Sequence, residues 1–433
     1  MTPDGRRFTG ADSSWWHMEE PTNPMAITAV LVLDGPLDPT RLRTLLGDRL
    51  AGYDRFHQRV VDGGLGRPHW VDDPAFSLDR HLIRTALPAG AGQDQLQRIV
   101  GEEMSRPLDD DRPLWRMIYV DGYEGGSALV IRVHHCIADG LALVRILLTL
   151  DDEEDNEGDA YAHYVRDVPR GILATGLGMG GRVVGSLGRL VGMRPDPRSS
   201  IRGDLGREKR AAWSQPLRLP DLRAAAREAG GTINDVVLST IAGGLGRFLE
   251  AQGDRLTRQV RAVVPVSLRR RDEADRLGNR FGLVFASLPI GVSDPRERLA
   301  AVHAVMDRLK RSPEAGVVYG LLELFGRTPR KALDLAVGFL GSKASLVLTN
   351  VPGPRHRIRF CGRELVSLIA WVPQSGRLGV GVSVLSYADE VRLGVATDAA
   401  IVPDPAVLVE AFHGSARDLF ESVHGPSGRE LVV

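Results

Sequence analysis

The chain has 433 residues, more than one ordinary hydrophobic core fills, so two domains or lobes are expected. Basic and acidic residues balance at 55 each and the pI is near 7.2. The chain therefore has no global field for collecting nucleic acid or anionic lipid, and only local patches remain. Two cysteines, Cys136 and Cys361, form no CxxC pair. That argues against a disulfide framework or a cysteine zinc site and fits a reducing, cytosolic compartment.

The composition, 43% hydrophobic and 25% charged, is that of a globular protein. Only four basic residues are lysines (Lys209, Lys310, Lys331, Lys343), an arginine excess that reflects a GC-rich genome more than a function. The opening "MTPDGRRFTGADSSWW" lacks an apolar core, so no signal peptide is expected. No apolar run is long enough to predict a transmembrane helix.

In chain order, "MAITAVLVLDG" (25–35) reads as a buried strand ended by Asp-Gly. "DPTRLRTLLGDRLAGY" (38–53) reads as a helix with Leu42, Leu45, Leu46 and Leu50 on one face. "LWRMIYVDGYEGGSALVIRVHH" (114–135) predicts two strands around a Gly-rich turn, and "GLALVRILLTL" (140–150) a helix. The acidic run 151–159 reads as a solvated linker. The segment 171–193, "GILATGLGMGGRVVGSLGRLVGM", reads as a crossover helix packed on the protein, with lipid contact as the alternative. Beyond it, 221–253 holds two helices, the second starting at Thr232, Asn234 or Asp235. Strands follow at 261–269, 281–292, 344–354, 364–373, 378–387 and 390–398, with helices at 294–311 and 404–423. The expected organisation is an N-terminal lobe (1–150), a linker (151–213) and a C-terminal lobe (214–433), each lobe a mixed α/β sheet with helices.

The chemistry concentrates in "VHHCIADGLALV" (133–144). Two adjacent histidines on a strand point to opposite sides, so His134 and His135 share a metal only across a sharp bend, and no HExxH helix or cysteine pair supports one. A neutral imidazole at a strand end is instead suited to general-base work, provided a neighbour fixes its tautomer. Asp139 could touch the histidine or pair with an arginine elsewhere, and Gly140 permits a tight turn. Cys136 resembles a thiol nucleophile but faces away from His135, so packing is its expected role.

"HHCIADG" matches the HHxxxDG signature of the CoA-dependent acyltransferase superfamily, which includes chloramphenicol acetyltransferase, carnitine acyltransferases and peptide-synthetase condensation domains. The wider chain resembles the bacterial wax ester synthase/diacylglycerol acyltransferase family. The blocks "EEPTNPMAITAVLVLDG", "DRPLWRMIYVDG", "TINDVVLSTIAGGLGRFL", "LGNRFGLVFASLPI", "TNVPGP" and "SVLSYADEVRLGVATDAAIVPD" carry that resemblance in order along nearly the whole sequence.

The resemblance implies a two-lobed fold like chloramphenicol acetyltransferase, with a central tunnel. It implies transfer of a long-chain acyl group from acyl-CoA to diacylglycerol or a fatty alcohol in a ternary complex. His135 maps to the general base, His134 and Asp139 to supporting positions, and Gly140 to the closing glycine. Thr349 and Asn350 are candidate oxyanion donors. Trp115 lines the acyl tunnel or fills the core. Asn234 and Asp235 cap a helix or contact substrate, with capping preferred. Asn279 and Arg280 shape a loop between the lobes, and Arg280 could instead meet CoA phosphates. Acyl-CoA enters as substrate; no cofactor, metal or nucleic acid is implied. Peripheral contact with a membrane or lipid droplet through 171–193 stays the alternative to packing on the protein. Two alternatives stay open: a specialised-metabolite hydroxyl or carrier-bound donor in place of these substrates, and a non-catalytic lipid-binding protein.

Overall fold

The computed structural model describes residues 7–62, 67–88, 90–152, 180–255, 257–270, 273 and 277–424. Most of the acidic linker (153–159) and the stretch 171–179 lie outside them. Two large sheets organise the chain, one per lobe.

The first lobe runs α1 (Gly10–His17), β1 (Ala26–Leu33), α2 (Pro39–Leu50), a 3-10 turn at Asp54–Phe56, β2 (Gln58–Val61), β3 (His69–Asp72), β4 (Leu82–Ala86), α3 (Gln93–Met104), β5 (Trp115–Tyr123), β6 (Gly126–His134) and α4 (Gly140–Thr149). β5 and β6 form the expected hairpin. Its two turn residues, Glu124 and Gly125, both have positive φ (49° and 79°), the geometry whose twist matches paired strands. α2 starts where the sequence signals it, with Asp38 capping the Thr40 N–H and Pro39 at the first turn.

The linker contributes α5 (Gly180–Gly192). The rest of the chain runs β7 (Lys209–Trp213), β8 (Leu217–Arg218), α6 (Leu219–Glu228), α7 (Ile233–Ala251), β9 (Val260–Ser267), β10 (Phe281–Leu288), α8 (Pro295–Lys310), α9 (Glu314–Phe325), α10 (Arg330–Gly341), β11 (Leu346–Pro352), β12 (Arg359–Phe360), β13 (Arg363–Trp371), β14 (Val380–Tyr387), β15 (Glu390–Asp398) and α11 (Ala406–His424), all in the second lobe but β12 and β13. α7 is capped by Thr232, in a reciprocal box with Asp235. α9 and α10 fall in a region where the sequence reading placed no element.

The sheet orders are β12-β13-β1-β6-β5-β4 and β10-β9-β11-β14-β15-β7. β13, read as part of the second lobe's β pattern, pairs antiparallel with β1 of the first sheet, Thr28 opposite Trp371. The alternation of apolar residues identifies a strand but not the sheet it joins, and here the chain crosses over after the Pro-Gly-Pro turn.

The first sheet is apolar on both faces, and its strands divide their residues with period two. Val30, Val32, Ile118, Val120, Ala128 and Val130 pack against Leu96 and Val100 of α3. The alternate set, Ile27, Leu31, Trp115, Met117, Val133 and Leu368, faces α2, α4 and the ends of β11 and β14. That second face is incompletely filled, and the gap is the cavity described below.

Candidate active site

His134 ends β6, and the loop 135–139 carries the chain to α4. The His135 N–H donates to the Met25 carbonyl (2.7 Å), and the Ile137 N–H to that of His134 (3.0 Å). The bend turns the two imidazoles into different surroundings. His134 accepts the Cys136 N–H on Nδ1 (3.1 Å), and its Nε2 lies 3.3 Å from Glu19 Oε2. His135 is 3% exposed and lies between Trp15, whose ring is stacked on it, and Phe281, with ring centroids 5.4 Å away.

The Nδ1 of His135 is 2.8 Å from Asn279 Oδ1, and Asn279 Nδ2 donates back to the His135 carbonyl (2.7 Å) and to Asp12 Oδ1 (2.8 Å). Burial pushes the His135 pKa down to about 4, outweighing its own backbone, Asp139 and Asn279, which favour the cation. The imidazole is therefore neutral at physiological pH.

Asp139 does not hold the imidazole. Its Oδ1 caps α4 at the Ala142 N–H (3.0 Å), and its Oδ2 meets Arg269 (2.8 Å) and the Arg280 N–H (3.1 Å). Of the two partners left open by the sequence, a distant arginine is the one found. A Cβ on Gly140 would lie 3.4 Å from Val351 of β11, so the first turn of α4 sits close against the second lobe.

Cys136 is fully buried among apolar neighbours, and burial raises its thiol pKa well above the usual value, so it is held as the unreactive thiol.

Gly278, at φ +100°, makes the turn that delivers Asn279; its N–H donates to the Ile137 carbonyl (3.1 Å) and its own carbonyl accepts from Arg269 (2.8 Å). Arg55, from the 3-10 turn, donates to the carbonyls of Cys136 (3.0 Å) and Ile137 (2.8 Å) and to Asp12 Oδ2 (3.1 Å). The loop 135–139 is thus tied by three segments: α1, the 3-10 turn, and the chain between β9 and β10.

Beside this loop is a narrow apolar cavity of about 120 Å³, smaller than the roughly 300–1,000 Å³ usual for ligand sites. Val133 and Gly140, which flank the loop, both lie in its wall. Trp115 also lines it while donating its indole N–H to the Phe56 carbonyl (2.9 Å) and stacking on His81 (centroids 4.5 Å), so it serves wall and core at once. Thr349 faces the cavity; Asn350, its neighbour on β11, points the other way and donates to Asn234 Oδ1 (2.9 Å) at the surface. Asp235 is buried. Burial works against its charge, but hydrogen bonds from His303 and Thr232 outweigh that and hold its carboxyl below the usual range.

Arg280 has its guanidinium on Glu273 (2.6 Å) and Tyr319 (3.3 Å), in a polar cleft that Asn279 also lines. Among the described residues, neither His134 nor His135 belongs to a group of three metal-type ligands.

Asp12, Trp15, Arg55 and Arg269 are the site residues that sequence reasoning missed. Each is far along the chain from residue 135, and "ADSSWW" was read only for its lack of a signal-peptide core.

Comparison with known proteins identifies the family and the fold. Residues 8–196 match the profile of the wax ester synthase/diacylglycerol acyltransferase catalytic domain, and residues 277–419 match the WS/DGAT C-terminal domain. The Mycobacterium tuberculosis protein named "probable diacyglycerol O-acyltransferase tgs1" is 31% identical over 424 residues, 91% of each chain. The solved wax ester synthase/diacylglycerol acyltransferase of Marinobacter aquaeolei VT8 superposes with a TM-score of 0.72 at 24% identity, covering 97% of this chain and 100% of that one. The first condensation domain of the calcium-dependent antibiotic synthetase follows at 0.64 and 18% identity, covering 99% of this chain and 97% of that one. Likeness at these identities speaks for the two-lobed fold.

Proposed function

The chain belongs to the wax ester synthase/diacylglycerol acyltransferase family, and from that premise we propose that it is an acyl-CoA-dependent O-acyltransferase with His135 as its general base. It transfers a long-chain acyl group to the hydroxyl of diacylglycerol, giving triacylglycerol, or of a fatty alcohol, giving wax ester. The observation that carries the residue assignment is a buried, neutral imidazole at the end of β6, on a loop whose flanking residues Val133 and Gly140 lie in the wall of the apolar cavity.

His135 takes the hydroxyl proton as the alcohol oxygen attacks the thioester carbonyl. The tetrahedral oxyanion then collapses, the C–S bond breaks, and the imidazolium returns the proton to the CoA thiolate. No acyl-enzyme forms, in keeping with the buried Cys136. Such a base is worth about 10²–10⁴-fold in rate. The apolar wall of the cavity faces the acyl chain, and Thr349, on that wall, is the better placed of the two oxyanion candidates.

Product identification tests the reading. The full chain with palmitoyl-CoA is offered dioleoylglycerol, hexadecanol and a panel of polar alcohols. Triacylglycerol or wax ester should form, and formation should collapse in His135→Ala. No ester with either lipid acceptor would overturn the assignment.

Among the described residues, no helix is long and apolar enough to cross a membrane. α5 packs Leu190 into the second lobe while Val184 (69% exposed), Leu187 and Val191 face outward at helical spacing. α9 packs against both α5 and α10, which exposes Leu335 (77%) and Phe339. These faces support peripheral contact with a lipid surface, where the acceptors reside.

A further inference from the structure

The transfer needs His135 to present an unprotonated Nε2 to the hydroxyl. An imidazole has two neutral tautomers, and only the one protonated on Nδ1 does this. Within the HHxxxDG loop the backbone of His135 bears on its own ring, whereas Asp139 is committed to Arg269, the Arg280 N–H and the α4 cap.

We propose that Asn279, held by Asp12, is the positioning residue that fixes His135 as its Nδ1–H tautomer and so makes Nε2 the base. The inference rests on the acyl-transfer reading only for its kinetic consequence.

The argument turns on which way the Asn279 amide faces. Asp12 Oδ1 accepts from both the backbone N–H of Asn279 (3.1 Å) and its side chain (2.8 Å). The His135 carbonyl accepts from the same side-chain nitrogen (2.7 Å). A carboxylate and a carbonyl have no proton to give, so the amide nitrogen must face them and the amide oxygen must face the ring. That oxygen is 2.8 Å from Nδ1. Being an acceptor, it selects the ring that carries a proton there. Flipping the amide would set an oxygen against two buried oxygens and lose both hydrogen bonds.

Asp12 is in turn fully buried and paired with Arg55 (3.1 Å), which also grips the 136–137 carbonyls. The relay Arg55–Asp12–Asn279–His135 crosses from the first lobe to the second and back. The charged or titratable groups facing the imidazole are Asp12 from α1, Arg55 from the 3-10 turn, Asp139 and His134 from its own segment, Glu19 beyond His134, and Arg269 from the chain after β9. The group in contact with Nδ1 is neutral. Asn279 therefore sets the tautomer without stabilising the imidazolium as a carboxylate would, and the base stays free to a lower pH.

The primary test reads the tautomer in substrate-free full chain, by ring ¹⁵N NMR of histidine-labelled protein near neutral pH, with His135→Gln for assignment. The expected spectrum shows His135 protonated on Nδ1. A ring protonated on Nε2, or averaged between the two, overturns the proposal. This measurement is independent of acceptor and donor. A failed product assay would remove the proposed reaction and leave the tautomer result standing.

A variant adds function. Asn279→Leu keeps volume and removes the acceptor; kcat should fall about 10- to 100-fold at near-constant KM for both substrates. In folded Asn279→Leu the ring spectrum should also lose its single Nδ1–H form, which a merely structural role would not do. Wild-type kcat, or an unchanged Nδ1–H ring, in folded Asn279→Leu would overturn the role. Should that variant not fold, Asn279→Ser is read in the same way.

Discussion

Trp15 lies flat on His135: their ring centroids are 4.1 Å apart and their planes 11° from parallel. The contact closes one face of the imidazole and leaves the ring little freedom to tilt. Trp15→Phe keeps an aromatic face and should retain activity within a few-fold. Trp15→Ala should lower kcat and, since Trp15 is 3% exposed, destabilise the fold by about 3–5 kcal/mol. Steady-state kinetics beside denaturant unfolding separates the two effects; equal kcat in all three proteins would show the stack to be packing alone.

Cys136 supplies a contrast with its neighbour. Its thiol is buried and hard to ionise, so iodoacetamide should leave it unlabelled in the folded chain. Cys136→Ala should keep near wild-type turnover. A covalent acyl adduct trapped on this sulfur would refute the direct-transfer mechanism.

The pair Asp139–Arg269 links the loop to the second lobe, with the Arg269 side chain fully buried. Removing one partner strands the other, which typically costs about 3–5 kcal/mol. Arg269→Met should therefore lower the unfolding midpoint strongly and turnover with it. Asp139→Asn, which keeps an oxygen for the α4 cap, should be the milder change.

Stability should depend on pH through the buried histidines. His135 is held near pKa 4 in the fold and rises to about 6.5 when unfolded; burial lowers His81 and His413 in the same direction. Below pH 6.5 the unfolded chain binds protons that the fold refuses. Stability is then greatest above pH 6.5 and declines as pH falls toward 4. Urea midpoints at pH 7.5 and 5 check this, and His135→Gln should flatten the decline.

The outward face of α5 can be tested apart from catalysis. Val184→Ser, Leu187→Ser and Val191→Ser together should reduce co-sedimentation with phosphatidylcholine vesicles carrying diacylglycerol. Activity on a short, water-soluble alcohol should be unchanged. Vesicle binding equal to wild type would remove this face from the account.

The two-lobed fold was legible because its signals are local. Asp38-Pro39 starts a helix, Glu124-Gly125 closes a hairpin, and alternation marks the strands. What alternation does not carry is the partner of each strand, and β13 was placed with the wrong sheet for that reason. The same limit applies at the site. His135, Asp139 and Gly140 sit in one short motif, so their grouping could be read directly. Asp12 and Asn279 meet across a separation of 267 residues, and only the closed lobes bring them together. Thr349 and Asn350, paired in the reading, separate because neighbours on a strand face opposite ways.

The crossing of β13 into the first sheet has a kinetic consequence. β1 leaves the ribosome early, but its neighbour across the Thr28–Trp371 register is made some 343 residues later. At bacterial synthesis rates that interval is on the order of tens of seconds. Throughout it, the nascent sheet has an unpaired apolar edge, the kind of surface that invites aggregation. Such distant pairing also makes for slow folding once the chain is released. Synthesis of this protein should accordingly depend on chaperone capacity, and residues 1–150 expressed alone should recover poorly as a folded species.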